Sequence, residues 1–130
     1  MISPMGNQRY YEQLVVWQEA HNLCMSVYNI LPRFPIEERF GLCSQIRRSA
    51  YSVPMNIVEG NAKRSAKDRL HFLQHSEGSL EELDYQLLLS KDLGYITIEQ
   101  LEALRNDIRK VSFLITKFRS GITSSRVLQS

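Results

Sequence analysis

Apolar residues recur along this chain at alternating spacings of three and four, the period that lines one face of an α-helix. The first stripe is Leu14, Trp17, His21, Cys24, Tyr28 and Leu31. It ends at Pro32 and Pro35, because proline cannot donate to the helix ladder and restricts the residue before it. A second stripe, Leu42, Ile46, Ala50, Val53 and Ile57, runs across Pro54. An interior proline costs roughly 3 kcal/mol in a bare helix. Because the pattern resumes at Ile57, it predicts one helix, kinked at Pro54 and held by its neighbours. Gly60 and Asn61 are expected to close that helix as left-handed caps.

Ser65, with Asp68 three residues on, marks the next helix start, a weak variant of the capping box. Its core face reads Leu73, Ser76, Leu80, Leu83 and Leu87, with Leu70 and Phe72 widening it, and Gly78 and nearby serines are expected to permit close helix approach. Leu93-Gly94-Tyr95 places glycine at the helix end, and Thr97 with Gln100 forms a capping box for the fourth helix. The last stripe, Leu101, Leu104, Ile108, Val111, Ile115 and Phe118, is the most regular in the chain. Short connections force neighbours to run antiparallel. The pattern therefore predicts an all-α fold, an antiparallel up-down-up-down four-helix bundle over residues 10–118. Residues 1–9 are expected to be a flexible N-terminus, and 119–130, mostly small and polar, a disordered tail.

The chain's 130 residues, 43% of them hydrophobic, suit a single domain with one core. With no run of about 18 apolar residues and no secretion-signal pattern at the N-terminus, a cytoplasmic location is expected. Cys24 and Cys43 have no metal-ligand spacing and sit among apolar neighbours, so both are expected to be buried free thiols. The formal charge is only +2, but it is unevenly spread. Arg39 to Arg69 is net basic, whereas Glu77 to Asp107 is net acidic.

Candidate chemistry is sparse, and neither a catalytic, a cofactor-binding nor a metal site is expected. His71 and His75, four apart, have a metal-ligand spacing but no evident third ligand. His21 falls in the first stripe and reads as a structural histidine. The carboxylates Glu81, Glu82 and Asp84 read as a solvated helix face. Glu59 lies in a stretch of apolar and small residues and needs a partner, which makes it a candidate structural salt bridge with Arg47, Arg48 or Arg64, or across subunits. Lys63, Arg64, Lys67 and Arg69, joined by Arg47, Arg48, Lys110 and Lys117, could neutralise phosphates and so contact RNA or DNA, or a partner protein. Self-association is the competing reading, since basic and acidic zones can pair between copies and close a ring. Val16, Ile30, Phe34, Phe40, Leu88 and Leu89 lie off the main stripes and could supply the contact.

Three blocks carry a resemblance: Leu14-Val15-Val16-Trp17, Phe40-Gly41-Leu42-Cys43-Ser44-Gln45-Ile46-Arg47-Arg48-Ser49-Ala50, and Val53-Pro54-Met55-Asn56-Ile57-Val58-Glu59-Gly60. With Gly78-Ser79-Leu80, Glu82-Leu83 and the Leu93-Gly94-Tyr95 turn, the chain from about residue 10 to 118 resembles the four-helix-bundle proteins encoded in intervening sequences of bacterial 23S ribosomal RNA genes. That family is similar to the accessory variability determinant proteins of diversity-generating retroelements. The resemblance implies a homopentamer without enzymatic activity. By analogy with the retroelement proteins, which bind a reverse transcriptase and nucleic acid, it makes Arg47, Arg48, Lys63 and Arg64 candidate contacts. The retroelement proteins are strongly basic, whereas this chain is close to neutral.

Overall fold

Four helices follow one another in the computed structural model: α1 (Val15–Ile30), α2 (Leu42–Asn61), α3 (Ala66–Asp92) and α4 (Ile98–Gln129). The structure describes residues 9–129, with side chains through Ser124, so residues 1–8 of the expected flexible N-terminus lie outside it. A 3-10 turn at Tyr10–Gln13 precedes α1, and two more, Leu31–Arg33 and Ile36–Glu38, build the connection to α2. Packing runs α1 on α2, α2 on α3, α3 on α4 and α4 on α1, a ring of neighbours joined through short connections. Cross-helix pairs run in opposite order along the partners, as with Asp84 to Arg105 and Glu77 to Arg119 between α3 and α4. This is the antiparallel up-down bundle that the hydrophobic pattern predicts, and no strand is present among the described residues.

The helix ends follow local chemistry. Ser65 Oγ accepts from the Asp68 amide at 3.1 Å and starts α3. Thr97 and Gln100 cap each other reciprocally, the Thr97 amide donating to Gln100 Oε1 at 2.8 Å and the Gln100 amide to Thr97 Oγ1 at 3.1 Å. At the end of α3, Gly94 takes φ +81°. Its amide donates to the Lys91 carbonyl and that of Tyr95 to the Ser90 carbonyl, the paired bonds of a Schellman turn.

The expected core faces of α2, α3 and α4 are buried almost throughout, with Leu42 and Phe118 half-buried at their edges. α1 differs. Its buried face is Val16, Ala20, Leu23, Cys24, Val27 and Leu31, which shares only Cys24 and Leu31 with the expected stripe. Trp17 is half-buried, while His21 and Tyr28 are exposed. Apolar residues occupy two adjacent faces of α1, so a spacing of three and four can be drawn twice. The core takes the face without polar edges.

α2 continues unbroken across Pro54, which is itself buried. Next to it, the buried Ser76 hydroxyl donates to the Val53 carbonyl at 2.9 Å and ties α3 to α2. Gly60 is not a left-handed cap. It is helical and buried, and a Cβ there would lie 3.0 Å from Phe72 Cβ, so its absent side chain is what lets α3 approach. Gly78, expected to serve that purpose, faces open space. α4 also runs past the expected boundary at residue 118: the backbone is helical to Gln129, where small polar residues suggested disorder, and Ile122 adds a buried turn to the stripe.

Candidate functional site

The eight basic residues singled out from the sequence do not form one patch. Arg47 and Arg48 sit in the second turn of α2, whereas Lys63 follows its last turn; at 1.5 Å per residue these points are roughly 24 Å apart along the helix axis. The α2–α3 turn gathers Lys63, Arg64, Lys67 and Arg69, of which Arg64 and Lys67 are exposed. Arg69 Nε donates to the Lys63 carbonyl at 2.8 Å and pins the turn, while the Lys63 ammonium lies 5.2 Å from the centre of the Phe72 ring. Lys110 joins α4 to α1 through Glu19 at 3.1 Å, so its charge is already matched. Lys117 sits 5.7 Å from the Phe113 ring centre.

The acidic residues divide in the same way. Glu81 and Glu82 are exposed, as expected of a solvated face, but Asp84 is not part of it. Asp84 holds Arg105 through two bonds of 2.9 and 3.1 Å, and with the Glu77–Arg119 pair it fastens α3 to α4. The hydrogen bond that Arg105 donates to Asp84 raises the pKa of its guanidinium. Glu59 is exposed and has no ion pair among the described residues.

His21 stacks on Trp17 instead of entering the core, the rings 4.9 Å apart and inclined by 9°. His71 and His75 are exposed with their Nε2 atoms 3.2 Å apart. Among the described residues, no group of three or more histidine, cysteine or acidic side chains gathers around them or elsewhere. Cys24 and Cys43 are free and buried. Burial pushes both thiols up, and at Cys43 the nearby Arg47 opposes that shift only in part.

Two surface features went unread in the sequence. The first is a cavity of about 410 Å³ where the end of α1, the proline-rich connection and the start of α2 meet. Leu31, Phe34 and Cys43 are its buried walls, Tyr28 and Ile36 stand at its exposed edge, and the two prolines of the connection, Arg39 and Arg47 complete the lining. The signal for it was present as apolar residues interleaved with Pro32 and Pro35, but spacing within a connection carries no face. The second feature is the distribution of exposed large apolar side chains. Most lie on the α1–α2 hairpin, among them Met25, Tyr28, Ile36, Tyr51 and Met55, together with Phe40 at 87% exposure. Of the contact residues proposed from sequence, Val16 and Phe34 belong to the core, and Ile30, Leu88 and Leu89 are half-buried. No helix of the described residues is long and apolar enough to cross a membrane.

Over residues 12–117 the sequence matches the family model described as 23S rRNA-intervening sequence protein. No curated protein matches it. Among solved structures, it is similar to the crystal structure of a protein of unknown function from the S23 ribosomal protein family of Bacteroides thetaiotaomicron VPI-5482. The two are 29% identical with a TM-score of 0.73, covering 81% of this chain and 98% of that one.

Proposed function

This chain belongs to the 23S rRNA-intervening sequence protein family, and from that membership and its surface we propose that it is a non-enzymatic, self-assembling interaction protein. The observation that carries the proposal is that most of the exposed large apolar side chains lie on the α1–α2 hairpin, with Tyr28 and Tyr51 on neighbouring helices and Met25 and Met55 about half exposed. Monomeric soluble proteins seldom expose large contiguous apolar patches, and such patches mark contact surfaces. The resemblance to homopentameric bundle proteins sets the expected copy number at five. Absence of catalysis fits the two thiols, which burial keeps protonated and poorly nucleophilic. Tyr51→Glu combined with Met55→Glu places two charges on this surface without touching the core. Analytical ultracentrifugation of that variant should show smaller species with helical circular dichroism retained. An unchanged sedimentation coefficient would remove the hairpin from the contact.

A second reading, nucleic-acid binding, is favoured by the α2–α3 turn, where Lys63, Arg64, Lys67 and Arg69 make no ion pair among the described residues. Phosphate neutralisation releases counterions, so RNA affinity should fall steeply with salt. Arg64→Glu with Lys67→Glu should weaken retention of RNA in a filter-binding assay at low salt, whereas Arg48→Glu, at the far end of α2, should not. Equal retention by wild type and the turn variant would rule this reading out.

A further inference from the structure

The cavity at the α1–α2 connection has the attributes of a small-ligand site. Its volume of about 410 Å³ lies within the range of ligand pockets, which are concave, mostly apolar and supplied with a few polar groups that fix orientation. The walls Leu31, Phe34 and Cys43 are each less than a tenth exposed, so an apolar group entering the cavity meets side chains that are anchored in the core. The rim is braced by short backbone bonds, from the Phe34 amide to the Leu31 carbonyl at 3.0 Å and from the Arg39 amide to the Ile36 carbonyl at 3.1 Å.

Charge selects the other end of the ligand. Arg39 and Arg47 both line the cavity, and neither forms an ion pair among the described residues. Arg47 Nη2 donates to the Arg39 carbonyl at 3.1 Å, which holds the Arg47 side chain at this rim and leaves further N–H donors uncommitted. The nearest carboxylates do not compete. Glu38 is occupied by the Tyr95 hydroxyl at 2.9 Å and caps the Leu42 amide, and neither Glu37 nor Glu38 lines the cavity. A guanidinium fork matches the two oxygens of a carboxylate.

We propose that this cavity binds a small amphipathic monocarboxylate, its apolar body against Leu31, Phe34 and Cys43 and its carboxylate on Arg39 and Arg47. The site is formed within one chain, and its exposed edge, Tyr28 and Ile36, is shared with the hairpin surface proposed above for assembly. The titration below is therefore run on wild type and on Tyr51→Glu with Met55→Glu protein: binding by that variant alone would show the assembly covering the site, and binding by neither would overturn the site itself.

Isothermal titration calorimetry of the full-length protein with octanoate and with octan-1-ol at neutral pH separates the charged contribution from the apolar one. Octanoate should bind at least about tenfold more tightly than the alcohol, a factor worth 1.4 kcal/mol at 25 °C. Arg39→Gln, at an exposed position where folding is not at stake, should narrow that ratio, and Arg39→Gln with Arg47→Gln should abolish it while the alcohol still binds. Octanoate binding undetectable in both proteins, equal affinity for acid and alcohol, or a ratio unmoved by Arg39→Gln would each overturn the proposal.

Discussion

Gly60 and Gly78 are both helical glycines, and a generic propensity argument would treat them alike: alanine is favoured over glycine in a helix interior by about 1 kcal/mol. Their surroundings give opposite signs. At Gly78 nothing lies within 4 Å of an added Cβ, so Gly78→Ala should stabilise the protein by about 0.5–1 kcal/mol. At Gly60 the new methyl would meet Phe72 Cβ at 3.0 Å and the Arg69 carbonyl at 3.3 Å, and overpacking of this kind costs about 1–3 kcal/mol. Gly60→Ala should therefore lower the urea midpoint and Gly78→Ala should raise it. The sequence carried the caps Ser65, Thr97 and Gln100 legibly, because a cap is settled within four residues of chain. It did not reveal the role of Gly60 or the exposure of His21, since each depends on which helix lies opposite.

Helices were legible where a single apolar face exists. α2, α3 and α4 each have one, and their expected stripes are the buried ones. α1 has two adjacent faces, and the face bearing Trp17, His21 and Tyr28 flanks the core instead of filling it. The cavity was illegible for a related reason, as it is shaped by turns whose side chains follow no period. The two connections at this end of the bundle meet where the Tyr95 hydroxyl donates to Glu38. That hydrogen bond, then burial, then the nearby carboxylates of Glu38 and Glu37 push the Tyr95 phenol up. The folded protein holds this proton more tightly than the unfolded chain. The contribution to stability is thus complete below the unfolded value of about 10 and is lost as pH rises through the folded value. Denaturant titrations should show stability falling above about pH 10, with a shallower alkaline fall in Tyr95→Phe. An identical alkaline limb in the two proteins would mean that the bond contributes nothing to folding.

At the scale of the molecule, the basic and acidic zones read from the sequence are partly dissolved by the fold. Lys110, Arg105 and Arg119 each pair with a carboxylate across a helix seam, and Arg47 lies far from the α2–α3 turn. What remains distinctive is apolar: most of the exposed large hydrophobic side chains lie on the hairpin of α1 and α2. A contact driven by that surface should resist salt, because hydrophobic association is not screened, whereas one driven by complementary charge should weaken as ionic strength shortens the reach of the field. The most direct measurement is the absolute mass of the wild-type protein by light scattering behind size exclusion, at low and at high salt. Self-assembly through the hairpin predicts a mass near five times 15.1 kDa at both salt concentrations, and a monomer of 15.1 kDa at either would contradict it.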